Sequence, residues 1–80
     1  MRVIFSPEAS LEFKDAERYY NEQQQRLGER FRAEVRSALR RIQAWPLSCP
    51  LERGDIRRLI LARFPYKLLL SIEVDYLYMT

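Results

Sequence analysis

The sequence predicts an α+β fold: a helical hairpin packed on a small, mostly antiparallel sheet, in the order β-α-α-β-β-β. Three observations carry this. Apolar residues recur at helical spacing through two successive stretches, Ala9 to Tyr20 and Leu27 to Trp45. Beyond the Pro46–Gly54 region the helical period gives way to short runs rich in leucine, isoleucine and tyrosine. The whole chain has 80 residues, which is one domain and too few for a dinucleotide-binding sheet or an eight-stranded barrel.

Arg2 to Phe5, with β-branched Val3 and Ile4, reads as the first strand. Ser6-Pro7-Glu8 is a helix start: a capping hydroxyl, a proline whose missing N–H costs nothing in the first turn, and a carboxylate at the positive helix end. Ala9, Phe13, Ala16 and Tyr20 then form one helix face. Leu27, Phe31, Val35, Ala38, Ile42 and Trp45 form a second, stopped by Pro46. The two faces are nearly in phase, but one uninterrupted helix would be about 57 Å long, too long for so small a domain. The polar run Asn21 to Arg26 and Gly28 place a break near residues 24–28. Pro46 to Gly54 reads as a loop, followed by strands at Ile56–Leu61, Tyr66–Ile72 and Tyr76–Met79 with hairpin-length connections.

Composition narrows the chemistry. There is no histidine and one cysteine, Cys49. A histidine-based triad and an internal disulfide are therefore impossible, and a zinc site has too few ligands of its usual kinds. No apolar run reaches membrane-spanning length and no signal-peptide pattern follows Met1, so the expectation is a cytoplasmic protein. The net charge of +3 is uneven: residues 26–45 hold six arginines against two glutamates. Arginine suits bidentate contact with phosphate or carboxylate, so the excess points to a polyanion or an acidic protein partner.

Three groups of residues are candidates for function. Arg32, Arg36 and Arg40 are four apart on the second helix, with Arg30 and Arg41 nearby; they read either as a solvated flank or as an electropositive docking surface. Arg57 and Arg58, with Arg63, Tyr66 and Lys67, mark the first hairpin. Strand alternation sets Arg58 and Ile60 on one face and Arg57, Leu59 and Leu61 on the other. An open sheet face bearing arginine and tyrosine can bind phosphate and stack bases, and edge protection by charge is the plainer reading. Tyr20 reads as core; Tyr76 and Tyr78 share one side of the last strand, core-facing or exposed. Cys49, between two near prolines, carries no assigned role.

Across essentially all its length the chain resembles the ParE/RelE superfamily of toxins from bacterial type II toxin–antitoxin modules. The resemblance rests on Phe5-Ser6-Pro7-Glu8-Ala9, on Ala16 with Tyr19-Tyr20, and on Leu27-Gly28 with Phe31 and Glu34-Val35. It continues through Ile42, Pro46 and Pro50 to Ile56-Arg57-Arg58 and Arg63-Phe64-Pro65-Tyr66-Lys67. The order and spacing of these pieces are similar to the ParE-like branch, often called plasmid stabilisation proteins. The resemblance implies a domain neutralised by a cognate antitoxin, acting either on DNA gyrase, as ParE-type members do, or as a ribosome-dependent endoribonuclease on mRNA, as RelE-type members do. It implies no cofactor, no metal and, on the ParE side, no catalytic residue. RelE-type nucleases carry two cations two apart before the hairpin turn and a third after it. Arg58 and Lys67 match the first and third, and Ile60 stands at the second, which favours gyrase over RNA. Arg57, Arg58, Arg63, Tyr66 and Lys67 are then target-contact candidates, and Arg32, Arg36, Arg40, Val35 and Leu39 antitoxin-binding candidates. Relatives continue past the last strand with a tail rich in His, Arg, Pro and Trp, whereas this sequence stops at Thr80; the expectation is reduced or lost toxicity, including a degenerate member that only binds antitoxin. A further expectation is a homodimer formed through an uncovered edge of Tyr76–Met79.

Overall fold

A computed structural model describes residues 1–80. The elements are β1 (Arg2–Phe5), α1 (Pro7–Gln23), α2 (Leu27–Ala44), β2 (Leu51–Arg53), β3 (Ile56–Ile60), β4 (Lys67–Ile72) and β5 (Tyr76–Met79), with one 3₁₀ turn at Pro46–Ser48. The α+β class, with two helices on one sheet, is as the periodicities predict. The sheet has five strands in the order β1-β5-β4-β3-β2. It is mixed: β1 runs parallel to β5 and every other neighbouring pair is antiparallel.

Local chemistry sets the helix boundaries. The Ser6 hydroxyl accepts the Ala9 N–H at 3.0 Å while Pro7 begins α1. Between the helices Arg26 adopts a left-handed conformation, φ 68°, which reverses the chain within three residues. The Asn21 side chain then accepts the Gly28 N–H at 2.8 Å. Gly28 is needed for close approach: a Cβ there would stand 2.5 Å from the Glu17 carbonyl oxygen.

The core lies between α2 and one sheet face. Phe31, Val35, Ala38 and Ile42 descend from α2 onto Leu59, Leu61, Leu68, Leu70, Leu77 and Met79. Phe31 is the centre of an aromatic cluster with Phe13, Tyr20, Phe64 and Tyr66, at centroid distances of 5.0 to 5.6 Å. A fully buried side chain such as Phe31 stabilises the fold by about 1.5–3 kcal/mol of apolar transfer free energy, and its partly buried neighbours by less.

The structure corrects four expectations. The Pro46–Gly54 loop contains a strand, β2, which is short and charged and so has no apolar alternation to reveal it; its pairing with β3 supplies the order. Trp45 is not part of the buried stripe. The helix ends at Ala44, Trp45 leaves helical geometry (φ −136°, ψ 70°), and its ring is 72% exposed. Val35 is 1% exposed, on the stripe that faces the sheet, and so cannot be an antitoxin contact on the surface. The Tyr76–Met79 edge is not free: β5 lies between β1 and β4 and is paired on both sides. β5 therefore offers no free edge for a dimer, because β1, a parallel neighbour from the N-terminus, fills it.

Candidate functional site

Two surfaces carry the candidate residues, one on each side of the sheet. The first is a groove of about 760 Å³ between α2, the end of α1 and the Ala62–Pro65 turn. Its apolar lining comes from Tyr20, Leu27, Ala33, Phe64 and Pro65. Arg30 and Arg41 from α2 and Arg63 from the turn surround it. None of these three arginines is ion-paired within the chain. The groove's one carboxylate, Glu34, accepts the Arg63 backbone N–H at 3.0 Å and so fixes the turn against the helix.

Arg32, Arg36 and Arg40 do not line this groove. Arg32 lies on the other flank of α2, 3.6 Å from Glu17 of α1. Arg36 is exposed, and Arg40 borders a shallower depression with Arg41, Ala44 and Trp45. Leu39 is half-buried against the core. The groove's α2 cations, Arg30 and Arg41, share a face with Ala33 and Ser37 at steps of three, four and four, but the more regular four-residue arginine spacing is the stronger pattern in the sequence.

The second surface is the sheet face turned away from the helices. Residues opposite one another in the ladders share a face, so register assigns it. Arg2 pairs with Tyr76, Ile4 with Tyr78, Tyr78 with Ser71, Arg58 with Leu69, and Ile60 with Lys67. Leu77 and Met79 are fully buried on the opposite side, which settles the two tyrosines as outward-facing. Here Arg58 and Lys67 meet a residue not singled out in the sequence, Glu52. Its carboxylate accepts from Lys67 Nζ at 2.9 Å and stands 3.8 Å from Arg58 Nη1. The same Arg58 nitrogen donates to the Leu51 carbonyl at 2.8 Å. The Lys67 hydrogen bond, with the neighbouring positive charges, holds the Glu52 carboxyl below the usual glutamate range.

The other hairpin candidates face the helices. Arg57 donates to the Cys49 carbonyl at 2.7 Å and anchors the chain after α2, a structural duty. The Tyr66 ring meets Phe31 edge-on, and burial, followed by the Glu12 charge, pushes its hydroxyl pKa up. Cys49 is buried and its thiol is also pushed up, chiefly by desolvation, which disfavours the reactive thiolate. The five target-contact candidates are thus divided: Arg58 and Lys67 on the outer face, Arg63 at the groove, Arg57 and Tyr66 in supporting packing. Both surfaces offer cations, apolar area and hydrogen bonds, an arrangement suited to recognition. Comparison with protein-family models, with curated proteins and with solved structures finds no match.

Proposed function

We propose that the chain is the toxin of a type II toxin–antitoxin pair, a ParE-like protein that inhibits DNA gyrase by binding it. The observation that carries this reading is the pair of cation-bearing, partly apolar surfaces on opposite sides of one small sheet. The groove beside α2, with Arg30, Arg41 and Arg63 around an apolar lining, suits an acidic amphipathic segment of the antitoxin. The outer sheet face, with Arg58, Lys67, Tyr76 and Tyr78, is left for the target. The order of elements agrees with the β-α-α-β-β-β plan expected of such toxins, with β2 added.

The RelE-like alternative, an mRNA endoribonuclease, is the weaker reading. Ile60 is 61% exposed where the nuclease pattern wants a cation, and Glu52 offsets part of the charge of the two cations beside it. Induced expression tests the proposal, with growth, plasmid supercoiling and primer extension on ribosome-bound mRNA as readouts. Growth arrest with altered supercoiling supports the gyrase reading. Defined cuts in the ribosomal A site that vanish with Arg58→Ala support the nuclease, and normal growth supports a non-toxic member.

A further inference from the structure

The outer face carries a cation pair that is already occupied. Arg58 of β3 and Lys67 of β4 converge on one carboxylate, Glu52 of β2. Arg58 Nη1 also donates to the Leu51 carbonyl, a contact that does not involve the Glu52 carboxylate. Glu52 itself sits at an irregular position. Leu51 pairs with Arg57 and Arg53 with the adjacent Ile56, so Glu52 is the extra residue of a bulge in a three-residue edge strand. No ladder pairing of its own fixes it. Exposed ion pairs of this kind are weak, each equivalent to a factor of about five or less in an equilibrium constant, so an external oxyanion can exchange with the carboxylate.

The surrounding face indicates what supplies that oxyanion. Its cations are Arg2, Arg53, Arg58 and Lys67, and they are partly offset by Glu52 and by Glu73, which accepts from the Ser71 hydroxyl at 2.8 Å. Four cations against two carboxylates leave a modest positive excess, less than the run of uncompensated cations that holds a phosphate backbone. The rest of the face is Ile4, Ile60, Leu69, Tyr76 and Tyr78, the aliphatic and tyrosine-rich composition of a protein interface with a charged rim.

We propose that Glu52 is a resident competitor: its carboxylate fills the Arg58–Lys67 site in the free protein, and an acidic side chain of a protein partner displaces it on binding. This rests on the reading of the outer face as the target surface. The device sets a threshold, because a partner must supply both the carboxylate and enough apolar contact to outcompete an intramolecular group.

Amide-resolved NMR titration of the full chain tests it. The probes are a short peptide of alternating leucine and glutamate and, in a parallel arm, a short oligothymidylate. Glu52→Gln keeps the shape and removes the charge; Glu22→Gln, on the exposed side of α1, controls for net charge. The expected result is that E52Q binds the peptide about three- to fivefold more tightly than the wild type, with shifts at Arg58, Leu69 and Tyr78. E22Q should match the wild type, and E52Q with Lys67→Met should lose the gain. Equal affinity of E52Q and wild type, with binding on this face, would overturn the competitor role while leaving the target surface standing. Preference for the oligothymidylate would overturn the partner class. Absence of binding by every variant would remove the proposal and, with it, the outer face as a target surface.

Discussion

Gly28→Ala probes the closest approach between the two helices. The added Cβ would lie 2.5 Å from the Glu17 carbonyl oxygen and 2.6 and 2.7 Å from Cγ and Oδ1 of Asn21. Ordinary contact begins near 3.4 Å, so α1 and α2 must part at this point or Asn21 must swing away. Parting the helices forfeits packing, and forced enlargements of this kind cost about 1–3 kcal/mol. Moving Asn21 breaks its 2.8 Å hydrogen bond to the Gly28 N–H, a further cost of about 1 kcal/mol. Alanine's better helix propensity returns at most about 1 kcal/mol. The net expectation is a loss of about 2 kcal/mol, against a total stability of about 4–12 kcal/mol for a domain of this size. For 80 residues that corresponds to a fall in Tm of roughly 8–16 °C, measured by far-ultraviolet circular dichroism. Asn21→Ala alone should cost about 1 kcal/mol. The double variant should cost less than the sum, because the side-chain clash disappears while the Glu17 carbonyl remains. Stability of G28A equal to or above wild type would refute the close-approach argument, and strict additivity would remove Asn21 from it.

Other perturbations follow from single observations. Arg26→Gly relieves the left-handed backbone at φ 68° and should raise stability by about 0.5–1 kcal/mol in urea denaturation; a loss would show that the Arg26 side chain outweighs its strain. Arg57→Met removes the bond to the Cys49 carbonyl and should cost about 1–2 kcal/mol, with an unchanged urea midpoint counting against the anchor. Because burial raises the Cys49 pKa, alkylation by iodoacetamide near pH 8 should be at least about tenfold slower in the folded chain than in urea. The sign of the linkage is that the unfolded thiol ionises first, so stability declines as pH rises above about 8.5 through the folded value; rapid alkylation of the folded chain would contradict the buried thiol. Glu52 has the opposite sign: its folded pKa is lowered, so its contribution is present above the ordinary glutamate range and lost as pH falls through the folded value. Carboxyl NMR titration should place Glu52 lower in the wild type than in Lys67→Met, and identical curves would break the Lys67–Glu52 link.

What could be read from the sequence were the features fixed by neighbours along the chain. Ser6 and Pro7 announce the start of α1, and the stripe Phe31, Val35, Ala38 and Ile42 is the face buried against the sheet. The break near Gly28 also follows from local signals, because a polar run cannot contribute to an apolar stripe and glycine invites a turn or a close contact. The cations Arg58 and Lys67 could be named as candidates, and strand alternation already separated Arg58 from Arg57.

The tertiary structure decided every property that depends on who stands beside whom. The pairing of β1 with β5 closes an edge that is open when Tyr76–Met79 is considered alone, and Tyr76 and Tyr78 turn outward because Leu77 and Met79 are drawn into the core. The groove selects Arg30, Arg41 and Arg63 over the regular series Arg32, Arg36 and Arg40, since its wall is made by a turn some thirty positions further along the chain. Glu52 gains its significance in the same way. In sequence it is one carboxylate in a short polar stretch; in the fold, β2 carries it to two cations on separate strands. The physical reason is range: capping, helical period and strand alternation act over a few residues, whereas register across the sheet and the packing of a turn on a helix join residues that share no local pattern.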